Sequence, residues 1–138
     1  MLQKLWNTKI SFATINILLL FLRAGTSLLM LTHGYPKLLR LVSDESANFP
    51  DPLGIGSLPS LLLVTFSEFF GSLMIILGLG TRFFSMALIF TMFVAAIIYH
   101  APDPFSDKEP ALLYMILYVF LFFAGGGKYS IDHLINKK

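Results

Sequence analysis

The sequence contains no cysteine, and few of its residues are charged. Of its 138 residues, 13% are Asp, Glu, Lys or Arg, whereas 56% are hydrophobic. Without cysteine the chain has no disulfide, no thiolate metal ligand, no Cys-ligated iron–sulfur cluster and no thiol redox chemistry of its own. Soluble domains usually carry about 25% charge, so this composition does not suit a globule of this size in water. It indicates a membrane protein.

Four long apolar segments predict an all-α, polytopic bundle of four transmembrane helices, forming a single domain over residues 1–138. About 20 residues cross a hydrocarbon core of ~30 Å. We place the spans at residues 12–33, 58–79, 83–100 and 111–125, of which the last two are the shortest.

The basic residues cluster at the ends of these segments, which is typical of topology determinants and not of a nucleic-acid surface. Placing both termini in the cytoplasm puts more Lys and Arg on the inner side of a cytoplasmic membrane. The inner side then holds Lys4, Lys9, Arg82, Lys128, Lys137 and Lys138, and the outer side holds Lys37, Arg40 and Lys108. Lys4, Trp6 and Lys9 are expected to anchor the first helix at the interface.

Arg23 lies within the first apolar segment and Glu68 within the second, each far from the segment ends. A lone charge at the bilayer centre costs several kcal/mol, so such charges are usually paired or face a polar pocket. In the predicted topology both lie near the midplane, and we expect them to form an ion pair. This pair holds the helices in register, forms part of a proton-linked or polar-ligand site, or does both.

A second polar cluster is expected at the outer ends of the helices. His33 ends the first predicted helix and His100 ends the third, and Lys37 and Glu109 lie nearby in the sequence. Such a cluster, with Tyr114 on the fourth helix, suits hydrogen bonding to a quinone head group or proton transfer, because His titrates near neutrality. Two alternatives remain open: axial ligation of a haem, or interfacial histidines bonded to water and loop carbonyls.

The sequence shows no phosphate-binding loop, no His/carboxylate metal motif at helical spacing and no nucleophile–base signature. Gly125, Gly126 and Gly127 follow an apolar helix with no preceding strand, so they are not a phosphate cradle. We therefore expect no metal and no covalently bound cofactor.

Several short motifs, in this order and spacing, resemble the DoxX family of small bacterial membrane proteins over about residues 15–132. Ser72 stands where a second glycine is usual, and Gly126 stands where proline is usual. The motifs are Arg23-Ala24-Gly25, His33-Gly34-Tyr35-Pro36-Lys37, Glu68-Phe69-Phe70-Gly71-Ser72, Leu77-Gly78-Leu79-Gly80-Thr81-Arg82, Glu109 with Ala111-Leu112-Leu113-Tyr114, and Gly125-Gly126-Gly127-Lys128-Tyr129-Ser130-Ile131-Asp132.

The resemblance implies a four-helix membrane fold and a link to redox systems. The family is named for its similarity to a membrane subunit of a thiosulfate:quinone oxidoreductase, and other members are linked to thiol and oxidative-stress systems. Because fold alone does not settle function, three hypotheses stay open. The chain is a subunit or partner of a quinone-linked redox protein, a small-solute transporter or lipid-binding protein, or a purely structural membrane subunit. Whether it is itself an enzyme is left open, and we do not expect it to carry electrons alone.

Overall fold

A computed structural model describes residues 9–43 and 47–137, and the regular structure within these ranges is entirely helical. The helices, in chain order, are α1 (Phe12–Val42), α2 (Ser57–Leu77), α3 (Thr81–Tyr99), α4 (Phe105–Ala124) and α5 (Ile131–Ile135). α1 packs along α2, α3 packs along both α2 and α4, and α4 also contacts α1. Residues 66–71 of α2 and residues 94–99 of α3 are π-helical.

Three of these helices, α1, α2 and α3, are long and apolar enough to cross a membrane. α4 has 20 residues, but Asp107, Lys108 and Glu109 lie in its first turns. The prediction of an all-helical, multi-pass membrane protein is therefore confirmed for three spans, and the fourth stays a prediction. Of the residues used to predict the topology, Lys4, Trp6 and Lys138 lie outside the described ranges.

α1 is much longer than predicted, because it continues past His33 to Val42. Its first turn is capped by Ser11, whose Oγ accepts a hydrogen bond from the Thr14 N–H at 3.1 Å. Pro36 has no N–H to donate within the helix, which usually favours a break. Here the helix runs through it, because the residues on either side of Pro36 pack against α2. Tertiary contact thus outweighs the local preference of proline.

A tight turn joins α2 to α3, and the short helix α5 packs against this turn. Gly78 and Gly80 adopt φ values of 71° and 63°, which favour glycine because it has no Cβ. The backbone N–H of Asp132 at the start of α5 donates to the Gly78 carbonyl at 2.8 Å. The C-terminal segment is therefore part of the bundle and closes one of its ends.

The bundle has a small core and a large apolar exterior. Phe12, Phe21 and Phe123 each expose more than 70% of their surface, which is expected for side chains that contact lipid. The buried apolar cluster at the centre consists of Met30, Ile75, Leu88, Met92, Tyr118 and Leu121.

Candidate functional site

Glu68 lies at the centre of the π-helical stretch of α2, where it is only 3% exposed. Its Oε2 accepts a hydrogen bond from the Nζ of Lys37 on α1, so the two residues form an ion pair between helices. A π-helical stretch inserts one residue into a helix and often marks a functional site, because it changes the direction of nearby side chains. Here it presents a carboxylate to α1.

Gly34 allows α1 and α2 to approach closely at this level. A methyl group at Gly34 would lie 2.7 Å from the carbonyl carbon of Glu68 and from the amide nitrogen of Phe69. Lys37 follows Gly34 by three residues and so lies on the same face of α1. The close approach therefore brings the Lys37 side chain within reach of the Glu68 carboxylate.

A cavity of about 540 Å³ opens beside this ion pair, between α1, α2, α3 and the loop before α2. Most of its lining residues are apolar, but Lys37, Glu68 and His100 also line it. The remaining lining residues are Arg40, Phe49, Pro50, Pro52, Leu53, Ile55, Ser60, Leu63, Val64, Phe66, Ser67, Ala87, Phe90, Thr91, Val94, Ala95 and Tyr99. A volume of this order is typical of small-molecule sites.

Asp51 holds the loop that forms one wall of the cavity. Its carboxylate accepts hydrogen bonds from the Ile55 and Gly56 N–H groups, at 3.0 and 2.7 Å, and from the Ser60 hydroxyl at 2.7 Å. These hydrogen bonds, above all the one from the Ser60 hydroxyl, hold the pKa of Asp51 below its ordinary value. The loop is thereby joined to the first turn of α2.

His100 lies just after α3 and pairs with Asp103, whose Oδ2 is 2.7 Å from the His100 Nδ1. The ring of Tyr99 packs edge-on against the imidazole, with 4.7 Å between ring centroids. Because Nδ1 faces the carboxylate, Nε2 is the nitrogen left for another partner. The structure thus brings His100 and Lys37 to one cavity, together with Glu68.

His33 and Glu109 do not join this cavity. His33 is exposed on α1, and its ring contacts the Tyr114 ring of α4 edge-on, at 5.8 Å between centroids. Glu109 is exposed near the start of α4. The expected pairing of the two histidines at one site is wrong. His33 lies within α1, which continues to Val42, and its ring packs against α4 and not into the cavity.

Arg23 does not pair with Glu68, so this prediction is also wrong. Its Nη1 donates to the Gly126 carbonyl and its Nη2 to the Tyr129 carbonyl, both at 2.7 Å. The guanidinium also packs directly on Gly78, where a Cβ would overlap it. Because α1 extends to Val42, Gly34 and not Arg23 lies level with Glu68, and Arg23 lies near the end of α2.

Asp132 completes the cluster around Arg23. Its carboxylate accepts hydrogen bonds from the Gly80 N–H at 2.7 Å and the Thr81 N–H at 2.9 Å, and so caps the start of α3. Burial raises the pKa of Asp132, but the Thr81 and Gly80 N–H groups and the charge of Arg23 lower it more, so the pKa lies below its ordinary value. Sequence reasoning missed this role, although Asp132 ends the last of the DoxX-like motifs.

Among the described residues, no three His, Asp or Glu side chains are grouped as a metal ion would require. Several buried hydroxyls were not recognised from the sequence as a group: those of Ser27, Ser72 and Tyr118 have no hydrogen-bond partner in the described part of the chain. In the sequence, each of these residues follows a predicted site residue by four positions. Ser27 follows Arg23, Ser72 follows Glu68 and Tyr118 follows Tyr114.

Comparison with known proteins gives a consistent result. The model of the DoxX family matches residues 18–101, which are more than half of the chain. An uncharacterized protein of Haemophilus influenzae is 31% identical over 128 residues, covering 87% of this chain and 92% of the relative. No solved structure matches the chain. The family match includes both Arg23 and the Lys37–Glu68 ion pair.

Proposed function

The chain belongs to the DoxX family of small membrane proteins, and from this premise we propose that it binds a quinone in the cavity beside Lys37 and Glu68. In this role it serves as a membrane subunit or partner of a redox protein. The electrons pass between the quinone and that partner. The observation that carries the proposal is the composition of the cavity wall, which is mostly apolar but includes Lys37, Glu68 and His100.

A quinone head group needs hydrogen-bond donors for its carbonyl oxygens and an apolar surface for its ring and tail. The Lys37 ammonium supplies donors, while Phe66 and Phe90 supply part of the apolar wall. His100, held by Asp103, presents its Nε2 as the group that accepts a proton from a quinol hydroxyl. The Asp103 carboxylate then stabilises the imidazolium that forms.

Quinone retention after mild detergent extraction tests this proposal. We expect wild-type protein to retain quinone and to be stabilised by added quinone in thermal unfolding. His100→Ala and Lys37→Met should both reduce retention. His33→Ala is the matched control, because His33 lies outside the cavity, and it should retain as much quinone as wild type. Absence of quinone from the wild-type protein, together with no stabilisation by added quinone, would contradict the proposal.

The second candidate is binding of an anionic lipid, which the presence of both Lys37 and Arg40 in the cavity wall favours. Two cations beside one buried carboxylate leave a net positive charge at this level. Lipid binding would be favoured if the purified protein retains a phospholipid or fatty acid instead of quinone, and if Arg40→Met no longer retains that lipid. Stabilisation by a small polar solute would instead favour a transporter.

We also propose that the protein lies in the cytoplasmic membrane with both termini in the cytoplasm, and that α4 crosses the membrane as the fourth span. The described basic residues Lys9, Arg82, Lys128 and Lys137 would then lie on the inner side. Cysteine introduced at Ser106 should react with an impermeant thiol reagent on intact cells, whereas cysteine at Asn136 should not. Labelling of both positions would show that α4 does not cross, and the reverse pattern would invert the topology.

A further inference from the structure

Three hydroxyl groups from three helices meet inside the bundle, away from the cavity. Ser27 of α1, Ser72 of α2 and Tyr118 of α4 are fully buried. Both serine side chains lie beside the Tyr118 hydroxyl, but none of the three groups reaches good hydrogen-bond geometry with a partner in the described ranges. An unpaired hydroxyl in an apolar interior is destabilising. Three together form a polar cluster inside the apolar core.

Helical spacing extends this site in both directions. Glu68 precedes Ser72 by four residues and Tyr114 precedes Tyr118 by four, so each pair lies on one helix face, about 6 Å apart along the axis. Arg23 likewise precedes Ser27 by four residues. α1 runs opposite to α2 and α4, so the order along the bundle is Glu68 with Tyr114, then the three hydroxyls, then Arg23.

The two tyrosines of this line are in direct contact. The rings of Tyr114 and Tyr118 are stacked with 6.4 Å between centroids. Glu68, beyond Tyr114 on this line, is paired with Lys37 of α1. At the far end the Arg23 Nε is buried without a hydrogen-bond partner in the described residues, although both Nη groups are bonded. Polar groups therefore follow one another in a line from Glu68 at the cavity to Arg23.

We propose that this line, formed by Tyr114, Tyr118, Ser27 and Ser72, conducts protons between the Arg23 end of the bundle and Glu68. A hydroxyl both donates and accepts a hydrogen bond, which proton relay requires. A proton entering at the Arg23 end forms a new O–H bond on the first oxygen, which releases its own proton to the next. The last proton binds the Glu68 carboxylate, and every hydroxyl is left as it began.

The positive charge of Arg23 does not prevent protons from entering this line of hydroxyls. A lone cation would repel an incoming proton, but Arg23 interacts electrostatically with the nearby carboxylate of Asp132. The positive charge at the Arg23 end is therefore partly offset by Asp132, which caps the start of α3. When Glu68 becomes neutral, Lys37 loses its counter-ion and is released toward the cavity. Proton uptake would in this way change the cavity wall, whichever ligand occupies it.

The test is to measure protonation of Glu68 after acidifying one side of the membrane. The protein is reconstituted in vesicles, and protease access to a C-terminal tag identifies those with the Arg23 end outward. External buffer is then shifted rapidly from about pH 7 to about pH 4. The infrared band of a protonated carboxyl group is followed in time and assigned to Glu68 by its loss in Glu68→Gln. No quinone is added, so this test and the quinone test fail independently.

We expect Tyr118→Phe to slow the appearance of the Glu68 band roughly tenfold or more, since the ring is kept and the relaying oxygen is lost. Tyr35→Phe is the matched control, because Tyr35 is 54% exposed on α1, and it should keep the wild-type rate. The double variant Ser27→Ala, Ser72→Ala should also slow the appearance of the Glu68 band. It replaces Tyr118→Phe as the test if that variant does not fold. An unchanged rate in the folded variants, or no Glu68 band in the wild type, overturns the proposal.

Discussion

The two cations of α1, Arg23 and Lys37, are held in different ways. Arg23 is 2% exposed and donates to two backbone carbonyls of the C-terminal segment, with Asp132 nearby. Lys37 is partly exposed and pairs with a carboxylate in a π-helical stretch at the edge of a cavity. The first arrangement joins α1 to the segment between α4 and α5. The second places an ion pair where a ligand or a proton can reach it.

The difference separates a structural charge from a functional one. Backbone carbonyls do not titrate and cannot move away without unfolding their loop, so Arg23 has one stable arrangement. A carboxylate can be protonated, and an ammonium on a flexible stem can turn to another partner. The Arg23 cluster should therefore determine whether the bundle is stable, and the Lys37–Glu68 pair should determine what the bundle binds.

The largest expected effect is loss of stability on removing Arg23. Arg23→Met leaves the Gly126 and Tyr129 carbonyls unpaired and removes the charge that faces Asp132, so unfolding should become easier by about 3 kcal/mol. Denaturant titration in detergent micelles measures this. Arg82→Met is the control: its side chain is exposed and makes one long hydrogen bond of 3.4 Å to the Phe123 carbonyl, so the loss should stay below about 0.5 kcal/mol.

The same measurement decides whether Arg23 and Glu68 are independent. The losses in Arg23→Met and Glu68→Gln should add in the double variant to within about 0.5 kcal/mol, because the two side chains have different partners. If the double variant is much more stable than the sum predicts, the two residues interact, and the contrast between the two clusters disappears.

A smaller effect is expected where α1 meets α2. Gly34→Ala places a methyl group against the backbone of Glu68 and Phe69, so the helices must separate, at about 2 kcal/mol of stability. It should also weaken the Lys37–Glu68 pair and any ligand retention. Gly25→Ala is the matched control on the same helix. A methyl group there would have no neighbouring side chain or second helix within 4 Å, and alanine should stabilise the helix by about 0.5 kcal/mol. If Gly34→Ala and Gly25→Ala have the same free energy of unfolding, α1 and α2 do not approach closely at Gly34.

The smallest effect concerns Asp132 and pH. Its pKa is lowered in the folded protein, so its contribution to stability is full above the ordinary carboxylate pKa and is lost as pH falls through the folded-state value. Asp132→Asn should cost about 1 kcal/mol at neutral pH, as loss of a helix cap does. Below about pH 4 the difference from wild type should shrink. A difference that does not change between pH 7 and the acid range would argue against an ionised cap.

How far the candidate site follows from the sequence can be judged residue by residue. Lys37, Glu68 and His100 are recognisable as buried or interfacial polar groups from their positions in apolar segments, and the structure places all three at one cavity. The predicted partner of Glu68 is wrong because α1 has 31 residues and α2 has 21, so positions equally far from the starts of the two helices do not lie level. The loop residues that complete the cavity carry no periodic signal that would place them over α2.

The amino-acid sequence by itself determined that this chain is a helical membrane protein of the DoxX family and which of its few polar residues lie inside apolar segments. Composition and hydrophobic length are local properties, so they are readable without a fold. Only the tertiary structure decided which polar groups meet. Arg23 bonds to Gly126 across 103 positions of the chain, and Lys37 reaches Glu68 across 31. Such pairings depend on helix register, which the contact at Gly34, the π-helical stretch of α2 and the docked C-terminal segment set together.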